Sequence, residues 1–153
     1  MHLNKKTFIA PFINAEAPQY LVIEDNFPNG RPAFEKAPGV YLSDRDTVNL
    51  SERMKVTTCL NPIHTALCTN DILLGHKLIA DGMHDPEIKK LAHQLGYIEG
   101  LPVVKRPGII SPEKFLDEVM NERFPNPYLG DTSPRIASDT SQKVGIRFGE
   151  TIK

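Results

Sequence analysis

The sequence has no tryptophan, only two cysteines, no excess of charge of either sign and no long hydrophobic run. Because 18 basic residues balance 19 acidic ones, we do not expect the clustered Lys and Arg that bind nucleic acid or an anionic membrane. No apolar run approaches the roughly 18 to 20 residues that span a bilayer. No apolar stretch follows the two lysines near the start, as one would in a secretory signal. These absences predict a cytoplasmic protein without nucleic-acid or membrane partners.

The residue types that bind metals are also poorly placed for a metal site. Cys59 and Cys68 lie within one apolar segment, are too few for a disulfide framework and lack the paired spacing of a zinc site. His76, His84 and His93 have no carboxylates at ligand spacing. We therefore expect two reduced thiols in the core and no bound metal.

Proline and the hydrophobic pattern divide the chain into two parts. Most of the 13 prolines fall in the first 40 residues and between 102 and 134, which marks these stretches as connecting regions. Short β-prone runs occupy the first part, and helical periodicity begins near residue 46. Because a sheet of so few strands is not stable on its own, the pattern predicts that the chain is a piece of a larger protein. The predicted fold class is mainly α with a small N-terminal β part, and the predicted strands are 7–13, 20–23 and 40–42.

The first predicted helix is the longest. Asp46 or Ser51 is its candidate N-cap, and apolar residues at helical spacing continue to Ile79. Gly82 is expected to end it. Three further helices have start signals of the Asp-Pro-Glu or Ser-Pro-Glu kind or a capping Asp. They are predicted from Asp85 to Gly96, from Ser111 to about Arg123, and from Asp131 to about Lys143.

Inside the first predicted helix, a Lys, an Asn and a His interrupt an apolar stretch, and buried polar groups are costly unless bonded or used. Asn61, His64 and Cys68 share one helix face, whereas Lys55 points away from Asn61 in a regular helix. Pro62 lacks an N–H and clashes with the preceding turn, so we expect a kink or a one-residue π-bulge that rotates Lys55 towards Asn61. The alternative is a core helix whose Lys extends to solvent, whose Asn caps the segment after the proline break and whose His is a bonded core residue.

Three segments carry a more specific pattern. They are QYLVIEDNFPNGRP at 19–32, MK at 54–55 leading to LNPIHTAL at 60–67, and NP at 126–127 followed by DTSPR at 131–135. In this order they resemble the polyol-specific long-chain dehydrogenase family, which contains mannitol 2-dehydrogenase and fructuronate reductase, also called mannonate oxidoreductase. Three motifs in one order are more specific than any one of them.

In that family a dinucleotide-binding domain precedes a mostly helical substrate domain. The resemblance implies that residues 1–43 are the tail of the first domain and that residues 44–153 are the first part of the second. The chain has no G-x-G-x-x-G sequence. The cofactor, NAD or NADP, would therefore be bound mainly by a domain that this chain lacks.

The resemblance also implies roles for individual residues. Lys55 would be the general acid/base, Asn61 would polarise the reacting oxygen, and His64 would contact the substrate. The family usually has four residues between this Lys and Asn, whereas five separate them here. Either the predicted bulge accommodates the extra residue, or Lys55 is not the catalytic lysine. Glu52 would neighbour Lys55 on a helix, either as a surface ion pair or as a proton path to solvent.

Arg135 and Lys143 match the family's substrate-binding region. On the single helix predicted above, eight residues are a little over two turns, so both side chains could face one site. The planar fork of Arg suits a carboxylate, with Lys as a second point charge, which favours a sugar acid over a neutral sugar. The alternative is that both cations brace the helical domain.

The resemblance thus implies a fragment of an NAD-dependent oxidoreductase. It would interconvert the secondary alcohol and ketone of a mannonate-like or fructuronate-like sugar acid, or of a polyol, with a Lys acid/base. The isolated chain is expected to be inactive without its cofactor domain. Alternatives are a non-catalytic helical interaction domain derived from such an enzyme, mannitol or fructose specificity, and a small helical binding domain unrelated to dehydrogenases.

Overall fold

A computed structural model describes residues 20–153, and the predicted strand at 7–13 lies outside them. Strands β1 (Leu21–Glu24) and β2 (Val40–Ser43) pair in parallel and make the one sheet of the described part of the chain. Both occur where the sequence predicts a strand. A 3₁₀ turn (Phe34–Lys36) lies between them.

Tyr20 connects the small sheet with the helices. The ladder runs from Leu21 opposite Val40, and Tyr20 immediately precedes it. The Tyr20 hydroxyl donates to the carbonyl of Ser51 at 3.4 Å, and its ring meets the Phe115 ring edge-on at 5.4 Å between centroids. The sheet therefore lies against the helical part of the chain rather than forming a separate core.

Helices make up most of the remainder, which confirms the predicted fold class. Three π-helical segments interrupt or extend them, at Lys55–Cys59 (the π-turn), Gln94–Gly100 and Val119–Arg123, and a 3₁₀ turn spans Pro127–Leu129. Within residues 20–153, no helix is long and apolar enough to cross a membrane. The α-helices are α1 (Arg45–Met54), α2 (Asn61–Leu74), α3 (Ile79–Gly82), α4 (Pro86–His93), α5 (Leu101–Val103), α6 (Pro112–Glu118), α7 (Ser133–Ala137) and α8 (Thr140–Ile152).

The start of the first helix differs from the prediction. Asp44 is the N-cap, because its extended backbone follows β2 directly and its Oδ1 accepts the Thr47 N–H at 2.8 Å. The predicted caps, Asp46 and Ser51, are wrong. Asp46 lies in the first turn, and the Ser51 hydroxyl donates to the Thr47 carbonyl at 2.8 Å inside the helix.

The first predicted helix is also not continuous to Ile79. The π-turn divides it into α1 and α2, and α2 ends where Gly75 takes a left-handed conformation with φ +85°. Gly82 ends only the short α3. The hydrophobic pattern continues across these breaks because all three helices pack on one core.

Asp85 caps α4 as predicted, accepting the Glu87 N–H at 2.8 Å, but the helical path does not stop at Gly96. Gly96 lies in the π segment that continues α4 and is buried between α2 and α6. A Cβ there would approach Ile63 Cδ1 to 3.0 Å and Leu116 Cδ1 to 3.1 Å. This glycine therefore allows close packing of α2 and α6 and does not mark a helix end.

Ser111 caps α6 as predicted, and the helical path continues through the π segment to Arg123. The single helix predicted from Asp131 to Lys143 is wrong. Thr132 precedes α7, and Asp139 with φ +57° separates α7 from α8. The residue before α7, Asp131, is used elsewhere, as described below.

Helix α2 is the centre of the core, and the helices around it contribute apolar side chains that are almost fully buried. Both cysteines are free and buried, as predicted. The largest fully buried apolar side chains include Met54, Ile63, Leu67, Ile79, Leu116, Val119 and Phe124.

One carboxylate lies inside this core. Asp71 on α2 is fully buried, and the Ser133 hydroxyl at the start of α7 donates to its Oδ2 at 3.4 Å. Burial raises the Asp71 pKa to about 6, because it disfavours the charged form. Gly82 packs directly against this carboxylate, since a Cβ at that position would lie 2.0 Å from Asp71 Oδ1. Asp71 thus joins α2, α3 and α7.

We expect Gly82→Ala to lower the free energy of unfolding by about 2 to 4 kcal/mol, the range for changes that overpack a core or displace a buried charge. Urea unfolding of the 153-residue chain, followed by circular dichroism, measures it.

The matched control is Gly145→Ala on α8, where a Cβ meets nothing within 4 Å. We expect this change to raise stability by about 0.5 to 1 kcal/mol, because alanine favours a helix over glycine. Similar destabilisation by both substitutions would contradict the described packing of Asp71 and Gly82.

Candidate active site

The π-turn predicted between Lys55 and Asn61 is present. The Leu60 N–H donates to the Lys55 carbonyl at 3.2 Å, five residues back, which is the defining bond of a π-turn. The hydroxyls of Thr57 and Thr58 donate to the carbonyls four residues before them at 2.8 and 2.7 Å. These bonds satisfy backbone groups at the point where the helix widens.

Lys55 is the first residue of this turn, and its contact is with Glu52. The Lys55 Nζ lies 2.7 Å from Glu52 Oε2, with 35% of the Lys55 side chain and 60% of the Glu52 side chain exposed. The predicted neighbour relation is confirmed. This pair connects the π-turn with solvent.

Asn61 begins α2 and is half-buried. Its carbonyl accepts the Thr65 hydroxyl at 2.8 Å, and its carboxamide makes no hydrogen bond to the described residues. Pro62 occupies the first turn of α2, where its missing N–H is not needed by the helix. Asn61 therefore lies directly after the π-turn, and its carboxamide is unpaired within residues 20–153.

His64 lies one turn further along α2 and is 8% exposed. Its ring packs on Phe124 at 5.3 Å between centroids, and its Nε2 lies 3.6 Å from Asp131 Oδ2. That distance is too long for a hydrogen bond, and Nε2 has no hydrogen-bond partner among the described residues.

Burial lowers the His64 pKa to about 4. The negative charge of Asp131 acts against this shift, whereas the positive charges of Arg147, Arg135 and Lys143 reinforce it. His64 is therefore neutral near pH 7, and one carboxylate and three cations act on it.

Asp131 is the carboxylate of this cluster. Its Oδ1 accepts the Arg135 Nη2–H at 2.6 Å, and its Oδ2 lies 3.4 Å from Arg123 Nη2. Its carbonyl accepts the Ile79 N–H at 3.0 Å, which fixes the chain before α7. The predicted role of Asp131 as a helix cap is wrong, because its side chain bonds to arginines and approaches His64.

Arg135 and Lys143 lie on different helices, so the argument from one helix face does not hold. The break at Asp139 nevertheless turns α8 back, and both charges act on His64. The Lys143 Nζ donates to the carbonyls of Ile136 at 3.0 Å and of Ser138. The two charges thus act on the same residue although they lie on separate helices.

Two residues of this cluster were not among the sequence-predicted site residues. Asp131 belongs to the DTSPR motif but was interpreted as a cap, and Arg147 carried no local signal. The Arg147 guanidinium donates to the Thr65 hydroxyl on α2. Lys55 is not among the charged groups that act on His64. No group of three or more His, Cys, Asp or Glu side chains in residues 20–153 could hold a metal ion.

The chain resembles known proteins along most of its length. It is 64% identical over 151 residues to the D-mannonate oxidoreductase of Thermotoga maritima, covering 98% of this chain and 28% of that protein. A crystal structure of D-sorbitol dehydrogenase in substrate-free form matches with a TM-score of 0.76 and 36% identity, over 86% of this chain and 26% of the other.

A second solved structure is the Pseudomonas fluorescens mannitol 2-dehydrogenase in a ternary complex with NAD and D-mannitol. It matches with a TM-score of 0.64 and 32% identity, over 80% of this chain and 24% of the other. The chain therefore spans about a quarter of the length of the relatives it matches. The mannitol dehydrogenase C-terminal domain is the family that matches residues 48–153. These residues are over half of the sequence, and the chain belongs to the mannitol dehydrogenase C-terminal domain family.

Proposed function

We propose that this chain is the substrate-binding part of an NAD- or NADP-dependent oxidoreductase that interconverts the secondary alcohol and ketone of a sugar acid or polyol. The observation that carries the proposal is the buried, neutral His64, whose Nε2 has no hydrogen-bond partner in the described part of the chain, on the helix that begins at Asn61 beside the π-turn. The relatives' names supply the substrate class, since they are D-mannonate, D-sorbitol and mannitol enzymes.

In this proposal Lys55 is the general acid/base. When an alcohol is oxidised, Lys55 Nζ takes the hydroxyl proton as the carbonyl forms, and it returns a proton in the reduction. Glu52, 2.7 Å away and more than half exposed, passes that proton to solvent. The free carboxamide of Asn61 donates to the reacting oxygen and stabilises the charge that develops there.

His64 binds a substrate hydroxyl through Nε2. A neutral imidazole can donate or accept at this atom, so it can serve either the alcohol or the ketone. Packing against Phe124 fixes the ring, and because Nε2 is itself buried, a substrate hydroxyl reaches it only when the groups that cover it move aside.

The dinucleotide, when bound, accepts or supplies the hydride. The described residues do not fit its pyrophosphate, since no glycine-rich turn runs from a strand into a helix between β1 and α1. We place the main dinucleotide site in a domain outside this chain. Residues 1–43 would be only the tail of that domain, and residues 44–153 would be the start of the substrate domain.

The charges around His64 favour a sugar acid over a neutral polyol. Three cations, Arg135, Lys143 and Arg147, act on this site. Only Arg135 among them is paired with the Asp131 carboxylate within residues 20–153. An anionic substrate balances this excess, whereas a polyol does not. Arg135 and Lys143 are the proposed substrate contacts on α7 and α8.

We expect Lys55→Met to lower kcat by about 10² to 10⁴, the usual contribution of a general acid/base, with little change in KM. The measurement uses a chimera in which this chain replaces the 151 residues it matches in the Thermotoga maritima D-mannonate oxidoreductase, assayed with D-mannonate and NAD.

The matched control is Lys89→Met, which removes an exposed lysine of α4 and should leave kcat within about twofold. Glu52→Gln should slow turnover less than Lys55→Met, since water can still reach the half-exposed pair. A chimera in which Lys55→Met and Lys89→Met behave alike would remove Lys55 from the mechanism.

We also expect the imidazole of His64 to titrate near pH 4 in the folded chain, measured by NMR. An unfolded histidine titrates near 6.5, so the unfolded state binds more protons between these values and stability falls as pH falls through that window. At pH 5 the loss relative to pH 8 is about 2 kcal/mol.

The raised pKa of Asp71 acts in the opposite sense over part of this window. The quantity to measure is therefore the difference in unfolding free energy between the unsubstituted chain and His64→Gln, as a function of pH. A difference that does not change between pH 8 and pH 5 would contradict the burial of a neutral His64.

A further inference from the structure

Two cations of α8 face α2 without an acidic partner in the described chain. Lys143 and Arg147 are four residues apart on one helix and so share a face. Arg147 Nη1 donates to the Thr65 hydroxyl, and Lys143 Nζ bonds to two carbonyls. Among the described residues, no carboxylate lies within 4.0 Å of either side chain.

These two charges lie over the face of α2 that carries the proposed substrate contacts. Both act on His64 and on Cys68, one turn further along. Thr65, which receives the Arg147 bond, itself donates to the carbonyl of Asn61. Arg147 is therefore one side chain away from the backbone of Asn61.

The Arg147 guanidinium has no counter-charge among the described residues. Arg147 is half-buried, and burial lowers its pKa because the charged form loses solvation. Removing a cation from water is costly unless an anion compensates it. Arg135 differs, since its side chain is 65% exposed and already bonded to Asp131 at 2.6 Å.

A carboxylate is the anion that fits an arginine best. The planar guanidinium presents parallel N–H donors that match two carboxylate oxygens, and the Lys143 ammonium adds a point charge from the same helix face. Arg147 donates to Thr65 through Nη1, and its Nε and Nη2 make no hydrogen bond to the described residues.

We propose that Arg147 is a specificity-determining residue that, with Lys143 beside it, binds the carboxylate of a sugar-acid substrate. The inference rests on the proposed function, because it takes the sugar chain to lie along Asn61 and His64. It assigns the carboxylate to α8, whereas Arg135, which bonds to Asp131 beside His64, remains a contact for the rest of the substrate.

The test uses two ligands that differ at one carbon, D-mannonate and its neutral counterpart D-mannitol. The isotope-labelled 153-residue chain is titrated with each to tens of millimolar, and binding is followed by NMR. We expect D-mannonate to bind at least tenfold more tightly. Arg147→Met should weaken D-mannonate binding by about tenfold to a hundredfold and leave D-mannitol binding unchanged.

Two further variants separate charge, geometry and folding. Arg147→Lys keeps the charge but loses the fork, and should bind D-mannonate with intermediate affinity. Arg45→Met removes an exposed arginine that pairs with Glu24 of β1, and should change neither affinity. A dispersed amide spectrum for each variant verifies that it is folded.

Equal affinity of the unsubstituted chain for both ligands, or no binding of D-mannonate, would overturn the inference. So would equal weakening of both ligands by Arg147→Met in a folded variant.

Kinetics of the chimera separate this inference from the proposed function. A chimera that turns over D-mannonate, but in which Arg147→Met raises KM equally for D-mannonate and D-mannitol, overturns the carboxylate site alone. A chimera without turnover, whose chain still binds D-mannonate through Arg147, overturns the proposed oxidoreductase function and supports the carboxylate site.

Discussion

The Asp131 carboxylate is the interaction on which the candidate site depends. It lies 3.6 Å from His64 on α2, 3.4 Å from Arg123 in a π segment and 2.6 Å from Arg135 on α7. Three segments distant in sequence therefore meet at one acidic group. A carboxylate this poorly exposed is stable only while its cations remain in place, so the position of α7 and the environment of His64 are set together.

A second constraint acts on α7 from the other side. Ser133 bonds to the buried Asp71, and Asp71 in turn packs against Gly82 with no room for a side chain. The residues from Asp131 to Ser133 are thus fixed at both ends, by backbone pairing to the segment before α3 and by this buried contact. Core packing, and not contact with a substrate, therefore sets the position of α7 in the candidate site.

The π-turn is a local irregularity at the start of the candidate site. Two threonine hydroxyls and a bond from Leu60 to Lys55 satisfy the widened backbone, so the irregularity leaves few polar groups unpaired. The π-turn lies between Lys55 and Asn61, where the sequence predicts a helix irregularity. Helix α8 lies across this turn and is joined to α1 by an ion pair between Arg53 and Glu150. The same helix presents Lys143 and Arg147 to α2, so the π-turn and the cationic face belong to one packed unit.

The sequence by itself determined the elements whose causes are local. Short β-prone runs located β1 and β2, Asp-Pro and Ser-Pro capping located the starts of α4 and α6, and Pro62 indicated the π-turn. The family motifs named Lys55, Asn61, His64, Arg135 and Lys143. Each of these signals depends on neighbouring residues, which is why it can be read from the chain alone.

Only the tertiary structure decided how those residues share a site. The non-helical conformation of Ser138 ends α7, and the left-handed Asp139 starts α8 in a new direction against α2, which helical periodicity between 131 and 143 could not indicate. Gly96 is a close-packing residue and not a helix end because α2 and α6 approach it from elsewhere in the chain. Arg147 had no motif of its own, since its significance comes from lying beside His64 and Thr65 without a carboxylate in the described part of the chain. Charge balance around a buried group is a property of contacts between distant segments, so it appears only once the chain is folded.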